Sequence, residues 1–160
     1  MWCRISQEEK KLGRLNEYFH SEECPVVLLS GLGGIGKTEV ARKFALDISD
    51  PGGNGQIVKS WLSGENPQSL LHSTSKFCDE LQLPSKGADG QPLAIQEMIQ
   101  NIMKKLKSSG EFGRWVVVID NVDKLHPEFE TVVQILSEFA SAFLLITSRR
   151  IDIFPGELKV

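Results

Sequence analysis

Two rhythms of apolar residues alternate along the chain. Short continuous runs occur at Val26-Val27-Leu28-Leu29, Trp115-Val116-Val117-Val118-Ile119 and Phe143-Leu144-Leu145-Ile146. Runs of this length, bounded by turn residues, read as strands covered on both faces, the environment of a parallel sheet. A further strand is expected from Gln56 to Leu62. Between these runs apolar residues recur at helical spacing. Leu12, Leu15 and Phe19 do so within 7–20, and Val40, Ala41, Phe44, Ala45 and Ile48 follow the first strand. The same spacing links Leu70, Leu71, Thr74, Phe77, Cys78 and Leu81, then Ile95, Met98, Ile99, Ile102 and Leu106, and a last helix is expected around 129–139.

The punctuation agrees with these elements. Cys24-Pro25 breaks the first helix, and Asp50-Pro51-Gly52-Gly53 stops the second. Asn66-Pro67 has the form of an N-cap followed by proline at the first helical position, and that helix ends before Pro84. Residues 85–92 read as a loop, and the final residues are compatible with the start of one more strand. Strands alternating with helices predict an α/β fold, a three-layer sandwich with a mainly parallel central sheet flanked by helices.

Composition narrows the function classes. The chain has 160 residues, 41% hydrophobic and 24% charged, the profile of one ordinary globular domain. A formal net charge of -3 gives no reason to expect a nucleic-acid partner. Cys3, Cys24 and Cys78 lack C-x-x-C spacing and read as reduced thiols. No apolar run approaches the length of a membrane span and the first residues lack a signal-peptide pattern, so the cytoplasm is the expected location, with no membrane partner. His20, His72 and His126 have no partners at metal-ligand spacing and read as solvated or capping residues.

The candidate chemistry starts at Gly31-Leu32-Gly33-Gly34-Ile35-Gly36-Lys37-Thr38, which matches G-x-x-x-x-G-K-[ST] between a strand and a helix. Glycines let backbone N–H groups close on phosphate oxygens, and the following helix turns its positive N-terminus, including Glu39, toward the same anion. Lys37 is expected to face the β- and γ-phosphates, and the Thr38 hydroxyl to ligate Mg²⁺. Gly31, Gly33 and Gly36 also spell G-x-G-x-x-G, a dinucleotide fingerprint. That reading requires an acid at the end of the second strand, which here ends Ser60-Trp61-Leu62, and it leaves Lys37-Thr38 unexplained.

Two later strands end in polar groups that a parallel sheet brings to the same rim. Asp120 closes the run from Trp115 and is expected to hold Mg²⁺. Asn121 follows where many P-loop ATPases carry a carboxylate, and an amide cannot act as a general base. Asp123 either compensates as a catalytic acid–base group or caps the next helix. Arg149 follows the run from Phe143, placed to meet a γ-phosphate.

Together these segments resemble the NB-ARC nucleotide-binding domain of STAND-class regulatory ATPases. VVLLSGLGGIGKTEVARKFA is similar to that family's first strand, phosphate loop and helix, WVVVIDNVD to its Walker B strand, and FLLITSRR to its sensor strand. VKSWLSGENPQSL is similar to its second strand and following helix. The resemblance covers about 15–150 and implies a cytoplasmic ATP/ADP switch with bound Mg²⁺, slow or absent hydrolysis, and self-association or partner binding through domains beyond this stretch. It implies a helical lead-in over 1–24 and a nucleotide-binding domain over 25–160, without the family's helical and winged-helix subdomains. Two other functions stay open: a catalytic P-loop enzyme such as an ATPase or small kinase, and a degenerate fragment serving as an interaction module. The guanine-specific Asn/Thr-Lys-x-Asp motif is absent, which points to adenine.

Overall fold

A computed structural model describes residues 2–5, 11–21, 25–32, 36–49, 56–110, 112–150 and 152. Among the described residues five strands, β1 (Trp2–Ile5), β2 (Val26–Ser30), β3 (Gln56–Ser63), β4 (Phe112–Asp120) and β5 (Ala142–Ser148), form one sheet in the order β1-β2-β5-β4-β3. Every pairing is parallel. The described helices connect them: α1 (Lys11–Ser21), α2 (Lys37–Asp47), α3 (Pro67–Glu80), α4 (Ile95–Ser109) and α5 (Pro127–Ser137).

The continuous apolar runs are explained by burial on both faces. In β4, Val116 and Val118 join one core with Leu15, Phe19, Ala41 and Phe44 from α1 and α2. Trp115, Val117 and Ile119 point the other way, into a core with residues of α3, α4 and α5. Three layers result, with the sheet between two helical layers. Trp115 shows how a large amphipathic ring is accommodated in such a core: it stacks on Phe77 with centroids 5.8 Å apart. Its indole Nε1 donates to the buried Ser60 Oγ at 2.9 Å, which satisfies both polar groups at once.

Local signals set the helix starts. Asn66 adopts extended geometry and its side chain accepts the Ser69 N–H at 2.8 Å, with Pro67 in the first turn, as the Asn-Pro pair predicts. At α5 the cap is His126, whose Nδ1 accepts the Phe129 N–H at 3.2 Å. Asp123 therefore does not cap that helix.

Two features differ from the sequence reading. The segment 1–24, read as a helical lead-in, contributes β1 as well as α1, and β1 pairs with β2 in register from Trp2↔Val26 to Ile5↔Leu29. Cys3 is disulfide-bonded, against the expectation of three reduced thiols. Cys78 is free and buried, and burial followed by the neighbouring Asp79 pushes its thiol up to about 11. The expected terminal strand and the Asp50–Gly53 stop lie outside the described residues. Among the described residues no helix is long and apolar enough to cross a membrane.

Candidate nucleotide-binding site

The chain order explains where the site falls. From β2 the chain crosses one face through α2 to the far edge at β3, then returns over the other face through α3, α4 and α5 to fill β4 and β5 beside β2. Connections leaving neighbouring strands on opposite faces open a crevice at the carboxyl ends of β2, β4 and β5. A cavity of about 360 Å³ occupies that position. Gly36, Lys37, Thr38 and Glu39 line it from the start of α2, Asn121 from the end of β4, and Thr147, Ser148 and Arg149 from the end of β5. A second cavity, about 230 Å³, lies at the opposite end of β4 beside Phe112 and Phe139, away from these strand termini.

Gly31 leaves β2 with its N–H on the Ser148 carbonyl at 3.2 Å. Gly33, Gly34 and Ile35 lie outside the described residues. Gly36 caps α2 at φ 78° and ψ 21°, a left-handed conformation for which glycine is the natural residue. Lys37, the first residue of α2, is buried, and its ammonium donates to the Gly31 carbonyl at 2.8 Å and the Leu32 carbonyl at 2.7 Å. Burial pulls this ammonium below its ordinary value, and the Asp123 carboxylate is the strongest influence opposing that shift. Glu39 pairs with Arg42 one turn along the exposed side of α2.

The two residues expected to serve a metal stand together. The Thr38 hydroxyl donates to Asp120 Oδ1 at 3.0 Å, and the Thr147 hydroxyl donates to the same oxygen. A carboxylate and a hydroxyl are hard oxygen donors suited to Mg²⁺, which takes few protein ligands and completes its shell with water and phosphate. The described residues contain no group of three or more His, Cys, Asp or Glu able to hold a metal by themselves.

Thr147 is the residue the sequence reading passed over. Besides serving Asp120, its Oγ1 accepts the Asn121 N–H at 2.9 Å, and its carbonyl accepts the Val122 N–H at 2.9 Å. One buried threonine thus holds the first two residues of the turn after β4. The signal was a polar residue at the end of an otherwise apolar strand. Gly64 is a second such position: a Cβ there would sit 2.3 Å from Val122 Cγ2, and its N–H donates to the Asp120 carbonyl at 2.8 Å.

Asn121 has φ 65°, a left-handed conformation that asparagine tolerates better than most residues. Its identity therefore has a backbone reason as well as a chemical consequence. Asp123 and Arg149 are joined: Oδ1 accepts the Arg149 N–H at 3.0 Å, while Oδ2 accepts Nε at 2.6 Å and lies 2.6 Å from Nη2. Burial pushes the Asp123 carboxyl up, but hydrogen bonds from Arg149 and the charges of Arg149 and Lys37 outweigh it and hold the group below its ordinary value.

A buried strand, a glycine loop opening a helix, and a carboxylate two strands away that meets the loop threonine define a P-loop NTPase nucleotide-binding domain. The chain belongs to the AAA domain family, which it matches over residues 20–152. It is also similar to a nucleotide-binding leucine-rich repeat (NLR)-like protein of Hyaloscypha variabilis, 27% identical over 110 residues, which cover 69% of this chain and 10% of that protein. The matched stretch thus spans about a tenth of the length of this relative.

Proposed function

We propose that this domain is a regulatory ATP/ADP switch of the NB-ARC/STAND type, binding nucleotide with Mg²⁺ and turning it over slowly. The observation that carries the reading is the meeting of Thr38 with Asp120 at 3.0 Å beside the buried Lys37, with an amide at position 121. Lys37 faces the β- and γ-phosphates, and Thr38 and Asp120 hold Mg²⁺, which neutralises phosphate charge when bound. Asn121 orients water without accepting its proton. The name of the NLR-like relative, a nucleotide-binding protein about ten times longer than the matched stretch, supports a domain read by other parts of a larger protein. In this reading, self-association or partner binding follows from nucleotide state and requires those other parts.

Phosphate release from ATP tests the turnover claim. Steady-state rates well below the roughly 1–10³ s⁻¹ typical of enzymes are expected for the wild type. Asn121→Glu restores a carboxylate beside Asp120, and a positioned general base contributes about 10²–10⁴-fold, so a gain of at least about tenfold is expected despite the left-handed backbone. Brisk hydrolysis by the wild-type chain would contradict the switch reading and favour a catalytic enzyme.

A further inference from the structure

We propose that Asp123 sets how strongly this site prefers a nucleoside triphosphate over a diphosphate, by holding the Arg149 guanidinium in a fork that a γ-phosphate must win. The proposal rests on the nucleotide-binding reading above and concerns the regulation of the same site. Asp123 engages Arg149 three times, through the backbone N–H at 3.0 Å and through Nε and Nη2 at 2.6 Å each. The Nε and Nη2 edge of a guanidinium is the edge that also pairs bidentately with phosphate oxygens. A carboxylate seated there competes with a γ-phosphate for the same donors.

The pair is asymmetric. The Asp123 side chain is 21% exposed and that of Arg149 is 65% exposed, so the carboxylate is the fixed member and the guanidinium the one free to swing. Arg149 lines the same cavity as Lys37 and Thr38. Asp123 also lies close enough to Lys37 for each to act on the other's charge. One carboxylate therefore grips Arg149 directly and acts through its charge on Lys37, the two cations a triphosphate would engage, as an internal counter-anion. A diphosphate, which does not reach for Arg149, leaves the fork closed. Asp123 is thus a positioning residue acting through Arg149, not a general base: both its oxygens are already engaged with Arg149.

The test measures affinity for ADP and for a non-hydrolysable ATP analogue, each with Mg²⁺, in wild type, Asp123→Asn, Arg149→Ala and the double variant. The Asn side-chain carbonyl still accepts the Arg149 N–H, but its amide nitrogen cannot accept from the guanidinium. An exposed ion pair is worth up to about fivefold in an equilibrium constant. Asp123→Asn is therefore expected to tighten the analogue about three- to fivefold relative to ADP. In the Arg149→Ala background the same change should shift both nucleotides by one common factor. Asp123→Ser, which also retains an acceptor for the N–H, supplies the same reading if the Asn variant folds poorly. Equal shifts of both nucleotides with Arg149 present would overturn the proposal, leaving Asp123 as bulk charge. Selective weakening of the analogue would also overturn it. Absence of any nucleotide binding by wild type would bring down the phosphate-loop reading, and this proposal with it.

Discussion

Thr38 and Asp120 stand 82 positions apart in sequence, yet the hydroxyl of one lies 3.0 Å from the carboxylate of the other. The contact depends on three separate placements. Gly36 turns the chain into α2 so that Thr38 faces the sheet, β4 ends at Asp120, and β5 inserts between β2 and β4 to carry Thr147 to the same oxygen.

Removing the Thr147 hydroxyl tests that arrangement. Thr147→Val keeps shape and burial but deprives Asp120 of a donor and the Asn121 N–H of its acceptor. Leaving a buried group unsatisfied costs about 1–3 kcal/mol, so a lower melting temperature is expected. The Mg²⁺-dependent part of ATP affinity should fall as well, while affinity in chelator changes little. Thermal melts and paired titrations check both, and an unaltered Mg²⁺ increment would show that Thr147 does not hold Asp120 for the metal.

Asn121 carries a separate backbone prediction. At φ 65° a β-branched side chain is strained, whereas glycine is not. Asn121→Val is expected to destabilise the fold by about 1–2 kcal/mol, and Asn121→Gly by much less. Denaturant unfolding of the two variants makes the comparison, and equal losses would contradict the conformational explanation.

Much of this site was legible in the sequence because its parts are local. The glycine loop, the apolar strand ending in Asp120 and the strand before Arg149 each announce themselves within ten or so residues. The buried strands were equally plain, since a parallel sheet covered on both faces leaves no alternation to misread. What the sequence concealed was pairing. Trp2–Ile5 is four residues containing an arginine, and it is a strand because β2 offers it a free edge, not because of its own pattern. Asp123 had two plausible roles on sequence grounds, and only the fold shows His126 taking the helix cap while Arg149 takes Asp123. Thr147 and Gly64 matter through the turn after β4, whose path is set by contacts between segments far apart in sequence.

Lys37 supplies a pH dependence. Burial lowers the pKa of its ammonium in the free site, and bound phosphates raise it. The bound state therefore holds more protons than the free state between those two values. By linkage, affinity should fall as pH rises through the lowered free-site value, with net proton uptake on binding at alkaline pH. Calorimetry at one alkaline pH in buffers of different ionisation enthalpy reads the uptake directly, and Lys37→Ala should abolish it. Proton release, or uptake that persists in the variant, would contradict the assignment of Lys37 to the phosphates.

The most direct measurement is a calorimetric titration of ATP and ADP into wild type, Lys37→Ala and Asp120→Ala, each with Mg²⁺ and with chelator. Wild type should bind both nucleotides, more tightly with Mg²⁺. Lys37→Ala should weaken ATP at least about tenfold, about 1.4 kcal/mol, while its circular dichroism stays native. Asp120→Ala should lose the Mg²⁺ increment and bind metal-free ATP as well as wild type or slightly better, because a negative charge near the phosphates has gone. Unchanged ATP affinity in a folded Lys37→Ala protein, or no nucleotide binding by wild type, would contradict the account at its centre.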